Sequence, residues 1–175
     1  MRVFYLAKRH FLIFLLPTLL VFLALFLVKA LYGLDAASTL TGKVIIVDAG
    51  HGGIDSGANR PSVAEKDINL AISLELKEEL NRYGAKVVLS RQSDIELSPD
   101  CDNEQVRGRY HRDLMARAEM AEESDADLFI SIHANAVSNA KRHGAEVFYF
   151  AKSEAGKQLA ESIQTELCKI TQPVV

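Results

Sequence analysis

The sequence lacks the features that mark several common classes of protein. Acidic residues outnumber basic ones, 23 against 20, and no basic stripe runs along any segment, which argues against nucleic acid as a partner. No glycine-rich stretch has the G-x-G-x-x-G or G-x-x-x-x-G-K-[ST] spacing of a phosphate-binding loop. No serine lies in a G-x-S-x-G setting, so a nucleophilic serine of the α/β-hydrolase type is not indicated either.

Cysteine is scarce as well. Cys101 and Cys168 are the only two cysteines, and neither has an obvious histidine neighbour that would make it a nucleophile. The sequence cannot show that their Cα atoms come within bridging distance, so one disulfide between them stays open. A loop thiol and a thiol on a helix face are the plainer interpretation.

One long stretch has no charge. Residues 11–28 are eighteen uncharged and almost entirely apolar residues, with basic residues on both sides. A helix of that length spans roughly 27 Å, close to the hydrocarbon thickness of a bilayer. We therefore predict that residues 1–35 are a membrane anchor or a signal segment, with the rest of the chain outside the cytoplasm. Small residues at 36–38 leave cleavage open.

After a short polar linker at residues 36–42, strand and helix patterns alternate along one domain, residues 43–175. Short apolar runs rich in β-branched residues predict four strands, at 43–48, 86–89, 128–132 and 145–150. Apolar residues at helical spacing predict three helices, at 67–83, 113–124 and 154–170. Residues 92–112 are polar and look like a long surface loop. This alternation predicts an α/β domain with a mostly parallel, twisted sheet and helices on both faces.

The helix patterns also predict which side chains face the core. In the first helix these are Ile68, Ile72, Leu76, Leu80 and Tyr83. In the second helix they are Leu114, Ala118 and Ala121, and in the third Leu159, Ile163, Leu167 and Ile170. Charged residues of the first helix lie off its apolar line, and Gly84 is placed to end that helix.

Two histidines lie directly after predicted strands. His51 is in a glycine-rich turn after the first strand, and His133 follows the third. Ligands of parallel α/β sheets bind beyond the carboxyl ends of the strands, so both imidazoles should share one rim of the sheet. Glu65 lies just before the first helix and returns to that rim. Two imidazoles and a carboxylate with an open fourth position make a catalytic zinc set, so we predict Zn²⁺ at His51, Glu65 and His133.

Each of these residues has a simpler interpretation when taken alone. His51 could orient the turn, His133 could be a hydrogen-bonded loop histidine, and Glu65 could favour the start of a helix. The glycine-rich turn could also cradle a phosphate at a helix N-terminus, although its spacing argues against this. The prediction of a metal site depends on the three residues occurring together in this topology.

Three motifs, in this order, resemble the zinc N-acetylmuramoyl-L-alanine amidases of the Amidase_3 family. They are DAGHGG at residues 48–53, EKDINL at residues 65–70 and SIHANA at residues 131–136. The resemblance runs from about residue 42 to the end of the chain. The apolar N-terminus, SRQSD at residues 90–94 and the charged insertion before residue 113 resemble the germination-specific (CwlD-type) amidases of endospore formers.

The resemblance implies hydrolysis of the amide bond between N-acetylmuramic acid and L-alanine in peptidoglycan. In spore cortex, this removal of stem peptides precedes muramic-δ-lactam formation. The resemblance assigns His51, Glu65 and His133 as ligands of a Zn²⁺ cofactor. Arg91 and Asn135 lie near the same rim and could orient substrate, although Arg91 could equally pair with a surface carboxylate and Asn135 could cap a turn.

The resemblance also bears on location and partners. It implies a protein of the cell wall or forespore envelope that is attached to the membrane through its N-terminal segment or secreted. Its expected partners are peptidoglycan and, as for CwlD-type enzymes in some species, an activating lipoprotein.

One family feature has no counterpart in the sequence. Family members carry a further C-terminal strand with a glutamate that acts as general base or stabilises the transition state, and no segment here matches it. No catalytic residue besides the metal ligands can therefore be assigned, and we expect residues 43–175 to be an incomplete amidase domain. A positioned proton-transfer group contributes roughly 10²–10⁴-fold to the rate, so a domain without this glutamate would be a weak catalyst. The alternative function is therefore that of a metal-binding, catalytically weak remnant that binds the wall.

Overall fold

The computed structural model of the chain describes residues 20–28, 39–136 and 144–171. The chain divides into two units, Met1–Ala134 and Asn135–Val175. Residues 20–28 form a helical segment with exposed side chains, and the other residues of the predicted N-terminal anchor lie outside the described ranges. Within those ranges, no helix combines the length and the apolar character needed to cross a membrane. The anchor stays a prediction.

A parallel sheet forms the centre of the first unit. The strands in the described residues of this unit are β1 (Val44–Ala49), β2 (Asn59–Arg60), β3 (Val63–Ala64), β4 (Lys86–Leu89) and β5 (Leu128–Ile132). β1 lies between β4 and β5 and pairs with both in parallel, whereas β2 and β3 form a small separate antiparallel hairpin. The register sets Asp48 opposite Ser131, so β1 and β5 end at the same edge of the sheet.

The described helices beyond residue 39 are α1 (Glu65–Arg82), a short 3₁₀ helix (Ser98–Asp100), α2 (Arg109–Glu123) and, in the second unit, α3 (Glu154–Ile170). α3 has the predicted bounds, and the Ser153 hydroxyl caps its start by accepting a hydrogen bond from the Gly156 N–H. Its predicted inward face is wrong at two positions, because Leu159 and Ile170 are 38% and 81% exposed whereas Ala160 is buried. α1 and α2 begin earlier than predicted. Glu65 is the first residue of α1, and the start of α2 lies inside the stretch predicted as a loop.

The two faces of β1 bury different groups. Val47 lies in an apolar cluster with Leu76 and Leu80 of α1. Successive residues of a strand point to opposite faces, so Asp48 points the other way, where it pairs with Arg117 of α2. The predicted α/β domain, with a parallel sheet between helices, is confirmed.

The predicted inward face of α1 is correct only at Leu76 and Leu80. Tyr83, at its end, is 42% exposed, and its first half is wrong as well. Ile68 and Ile72 are 37% and 46% exposed, whereas Glu65, Asn69 and Ser73 are buried. Glu65 and Asn69 take inward positions because they meet polar groups at the rim of the sheet. Asn69 Nδ2, for example, donates to the carbonyl oxygen of Gly50.

The predicted inward face of α2 is wrong as well. Leu114 is 65% exposed and Ala118 is exposed, whereas Ala116 and Arg117 are buried. A buried arginine breaks the rule that inward positions are apolar, because its partners in the fold satisfy its charge and its hydrogen bonds.

The fourth predicted strand, residues 145–150, is not formed. These residues pair with no strand in the described part of the second unit. Their backbone bonds to a side chain of α3 instead: the Val147 N–H donates to Gln164 Oε1, and Gln164 Nε2 donates to the Ala145 carbonyl. A strand needs a neighbouring strand to pair its backbone groups, and Gln164 satisfies two of them here.

A second apolar cluster ties α2 to the stretch before it. Leu97, Cys101 and Ala116 are buried in this cluster. Cys101 is a free thiol, and Cys168 in α3 is a free, exposed thiol, so the disulfide that the sequence left open is not formed.

Candidate metal centre

The His51 loop, residues 50–57, holds its histidine in a conformation that few residues adopt. The φ angle of His51 is +63°, in the left-handed region that disfavours side chains with a Cβ. Gly52 and Asp55 close the loop through two backbone hydrogen bonds of 3.0 and 3.1 Å. Asp55 Oδ2 lies 2.8 Å from His51 Nδ1. Because a carboxylate only accepts hydrogen bonds, Nδ1 carries a proton, and Nε2 is the ring nitrogen left to bind a metal.

Glu65 begins α1 and is only 4% exposed. Its Oε2 accepts a hydrogen bond from the Ala58 N–H at 2.8 Å, and its Oε1 accepts one from the Ala134 N–H at 3.0 Å. Burial raises the pKa of Glu65, but the hydrogen bonds from Ala58 and His133 and the nearby His51 lower it more, so the pKa lies below its ordinary value. The side chain is a carboxylate held at a helix N-terminus, where negative charge is favoured.

The three predicted metal ligands meet at one point. Glu65 Oε1 lies 3.4 Å from His51 Nε2 and 3.1 Å from His133 Nδ1. The two imidazole rings are nearly perpendicular, at 83°, with their centroids 4.8 Å apart. One ligand atom from each residue lies within 4.8 Å of the other two, so the three side chains can hold a single metal ion.

Two glycines make room for this cluster. A Cβ atom on Gly50 would lie 2.4 Å from the His133 ring. A Cβ atom on Gly57 would lie 2.5 Å from the His51 ring and 2.8 Å from Glu65 Oε2. These distances are far inside van der Waals contact, so the ligands can approach one another only because both positions lack a side chain.

The donor set fits zinc. Two imidazole nitrogens and one carboxylate oxygen, from three separate elements of the fold, match the protein ligands of zinc hydrolases. The His133 side chain is 39% exposed and the His51 side chain 23%, so one side of the cluster is open to solvent. An open side is what a catalytic metal site needs and a closed structural site lacks.

The two predicted substrate residues have different surroundings. Asn135 follows His133 by two residues and is exposed. Arg91 is 2% exposed, beneath the His51 loop rather than beside a surface carboxylate. All three nitrogens of its guanidinium donate to backbone carbonyls, at 2.7–3.1 Å, namely those of Ala49, Gly50, Lys66 and Ser93. Arg91 therefore holds the loop in place, and the contact of either residue with substrate stays a prediction.

Two residues that contact His51 were absent from the predicted site. Asp55 bonds the ring, and Arg117 Nη2 donates to the His51 carbonyl oxygen at 3.0 Å. Asp55 had a signal in the sequence, because metal-binding histidines usually bond a carboxylate and Asp55 lies four residues away in the same loop. Arg117 had no such signal in the sequence, since only the packing of α2 against β1 brings it to the His51 carbonyl.

A parallel α/β sheet with two histidines and a glutamate beyond its strand ends defines an α/β domain with a candidate metal centre at the carboxyl rim of the sheet. Residues 45–173 match the family model of N-acetylmuramoyl-L-alanine amidase, Amidase_3. The chain belongs to this family, and the resemblance read from the three motifs is confirmed.

The curated relatives include a germination-specific amidase. The chain is 39% identical over 128 residues to the germination-specific N-acetylmuramoyl-L-alanine amidase of Bacillus subtilis (strain 168), covering 73% of this chain and 54% of that protein. It thus spans about half the length of this curated relative.

Solved structures of amidases are also similar to this chain. The CwlD amidase of Clostridioides difficile, in complex with the GerS lipoprotein, is similar with a TM-score of 0.66 and 41% identity, over 73% of this chain and 66% of that one. The amidase AmiC2 of Nostoc punctiforme is similar with a TM-score of 0.58 and 30% identity, over 77% and 67%.

Proposed function

We propose that this protein is a zinc-dependent amidase that hydrolyses the bond between N-acetylmuramic acid and L-alanine in peptidoglycan. The observation that carries the proposal is the convergence of His51, Glu65 and His133 within 4.8 Å at the carboxyl rim of the sheet. Membership of the amidase family supports the choice of bond. The open side of the cluster supports a polymeric substrate, because a glycan strand can reach it without entering a closed cavity.

Each residue of the site has a separate role in the proposed reaction. His51, Glu65 and His133 would hold the zinc ion, with His51 offering the Nε2 atom that its bond to Asp55 leaves free. Bound zinc supplies a Lewis acid for the scissile carbonyl and lowers the pKa of a water molecule toward neutrality. Glu65 contributes a full negative charge, because its pKa lies below the ordinary value. Its two backbone amide partners keep the carboxylate from rotating away.

The proposal is tested with the purified protein, zinc and insoluble peptidoglycan. We expect about one zinc per chain and the release of stem peptides with a free L-alanine amino group. His51→Ala and His133→Ala should lose both zinc and hydrolysis, while Arg82→Ala, at the exposed end of α1, should lose neither. Stoichiometric zinc without hydrolysis would favour the catalytically weak wall-binding protein instead. Unchanged zinc content in both histidine variants would end the site assignment.

We further propose that the substrate is spore-cortex peptidoglycan and that the protein acts outside the cytoplasm, held at the membrane by its N-terminal segment. The name of the Bacillus subtilis relative, a germination-specific amidase, supports the cortex. The same preparation should hydrolyse cortex at a higher rate than vegetative sacculi. Equal rates on both materials would argue for a general role in the wall.

A lipoprotein partner is also part of the proposal. It is supported by the similar CwlD amidase, whose structure is of a complex with the GerS lipoprotein. Hydrolysis by the full chain should rise when a lipoprotein of this kind from the same cell is added. A rate that is independent of the lipoprotein would refute the proposed partner, and the amidase assignment would be unaffected.

A further inference from the structure

α2 reaches the metal centre through one buried arginine. The Arg117 side chain is 6% exposed and lies behind the His51 loop. Its guanidinium donates to the carboxylates of two residues, Asp48 and Asp113. It also donates to two backbone carbonyls, that of Ala49 at 3.1 Å and that of His51 at 3.0 Å. One side chain thus joins the end of β1, the His51 loop and α2.

The contact with His51 falls on a residue with an unfavourable backbone conformation. A histidine at a φ of +63° remains there only when its surroundings fix it. Asp55 fixes the imidazole ring, and Arg117 fixes the carbonyl group of the same residue. Without the arginine, the peptide after His51 would lose a charge-assisted hydrogen bond that holds its orientation.

The same network extends to the strand that carries the second histidine. Asp48, which binds Arg117 through Oδ1, accepts a hydrogen bond from Ser131 Oγ at 2.6 Å through Oδ2. Ser131 lies on β5, two residues before His133 and opposite Asp48 in the register. The chain of contacts from Arg117 through Asp48 to Ser131 therefore links the two strand ends that hold the histidines.

We propose that Arg117 is a positioning residue of the metal centre: it sets the backbone of His51 and, through Asp48 and Ser131, the spacing between His51 and His133. The proposal rests on the proposed function, in that the cluster binds zinc. Arg117 touches neither metal nor substrate in this scheme. It acts by holding ligands at a distance that suits one ion, as buried hydrogen-bond partners of metal ligands do.

α2 offers a matched control for a purely structural role. Arg112 lies on the same helix and also binds backbone carbonyls, at 2.5–3.2 Å, namely those of Ser98, Cys101 and Asn103. Its partners belong to the stretch before α2 and not to the His51 loop. Replacing either arginine by lysine keeps the charge but loses the planar fork that serves several acceptors at once. Only Arg117→Lys should disturb the metal centre.

The experiment measures zinc affinity by competition with a chelator, and ligand geometry by the visible absorption spectrum of the cobalt(II) form. In the purified full chain, Arg117→Lys should weaken zinc binding roughly 10-fold or more, the range seen when outer partners of metal ligands are replaced. It should also change the cobalt spectrum. Arg112→Lys should lower the unfolding temperature while leaving zinc affinity and the spectrum unchanged.

The failures are distinguishable. If the unaltered protein binds no zinc, both the proposed function and this inference fall. If the unaltered protein binds zinc and Arg117→Lys has the same zinc affinity and cobalt spectrum, only the inference is overturned. The inference is also overturned if Arg112→Lys lowers zinc affinity as much as Arg117→Lys does. Should Arg117→Lys not fold, Ser131→Ala decides, because it removes one hydrogen bond of the same network. Weaker zinc binding in Ser131→Ala supports the inference, and unchanged binding overturns it.

Discussion

Asp55 holds the imidazole of His51 in a fixed orientation. Its Oδ2 lies 2.8 Å from His51 Nδ1, while its Oδ1 accepts a hydrogen bond from the Gly57 N–H at 3.1 Å. Burial raises the pKa of Asp55, but the hydrogen bonds from His51 and Gly57 lower it more, so the group stays ionised. A carboxylate with both oxygens engaged cannot rotate freely, and the ring it binds is oriented with it.

Replacing Asp55 by asparagine should therefore weaken zinc binding. The amide has a similar shape, but it carries no charge and its NH₂ group can donate to Nδ1, which would place the proton on the wrong ring nitrogen. We expect a loss of about 10–100-fold in zinc affinity, measured by chelator competition. The control is Asp94→Asn, because Asp94 bonds Gly53 and Lys66 of the same region without touching the ring. Equal losses in the two variants would contradict the orienting role.

Glu65→Gln should remove zinc and also destabilise the protein. Both carboxylate oxygens accept hydrogen bonds from backbone amides, those of Ala58 and Ala134. A glutamine must turn its NH₂ group toward one of these donors, which leaves a buried N–H unpaired at a cost of about 1–3 kcal/mol. Urea unfolding in the presence of a chelator measures this cost without any metal. Glu75→Gln, on the exposed side of α1, should change neither stability nor zinc content, and similar effects in both variants would refute the argument.

The metal ligands could be predicted from the sequence because they depend on topology alone. Parallel strands end at a common edge, so histidines that follow two such strands must lie near each other. The glutamate at the start of the intervening helix returns to the same edge for the same reason. These inferences need the order of the elements and not the details of packing, and the structure brings His51, Glu65 and His133 together.

The buried polar contacts could not be predicted, because their partners are distant in the chain. Asn69 faces inward to meet Gly50, and Arg117 faces inward to meet Asp48. Apolar periodicity assumes that inward positions are apolar, and it therefore placed the wrong residues of α1 and α2 inside. The strand predicted at residues 145–150 failed for a related reason, since its backbone bonds to the Gln164 side chain.

Gly57→Ala should damage the metal centre and not only the backbone. The residue has a φ of +63°, and a Cβ there would lie 2.5 Å from the His51 ring. Gly42→Ala is the matched control, because Gly42 has a φ of +81° but no atom within 4 Å of the added Cβ. Backbone strain alone should cost Gly42→Ala about 1 kcal/mol in the free energy of unfolding.

In Gly57→Ala, steric overlap should add roughly 1–3 kcal/mol to that strain. Zinc affinity should fall in Gly57→Ala and remain unchanged in Gly42→Ala. Urea unfolding and chelator competition on both variants provide the two measurements. A Gly57→Ala protein that binds zinc as tightly as the unaltered chain would show that the ligands can move apart without loss.

Asp127 should make the stability of the sheet depend on pH. Its carboxylate accepts hydrogen bonds from Lys43 Nζ at 2.7 Å and from the Val44 N–H at 2.8 Å, at the start of β1. The Lys43 and Val44 hydrogen bonds hold the pKa of Asp127 below its ordinary value of 3.8. A carboxylate whose pKa is lower in the folded state contributes stability that is fully present above its unfolded pKa. That contribution is lost as the pH falls through the folded pKa.

Asp127→Asn should therefore lower the free energy of unfolding at pH 7, and the difference from the unaltered protein should shrink progressively as the pH falls below 3.8. Added salt should reduce the part that comes from the exposed Lys43, while the bond to the Val44 amide is screened less. Urea unfolding at pH 7 and at successively lower pH measures the trend, with Glu78→Gln on the surface of α1 as the control. A difference that is as large in strong acid as at pH 7 would show that Asp127 acts through its shape and not through its charge.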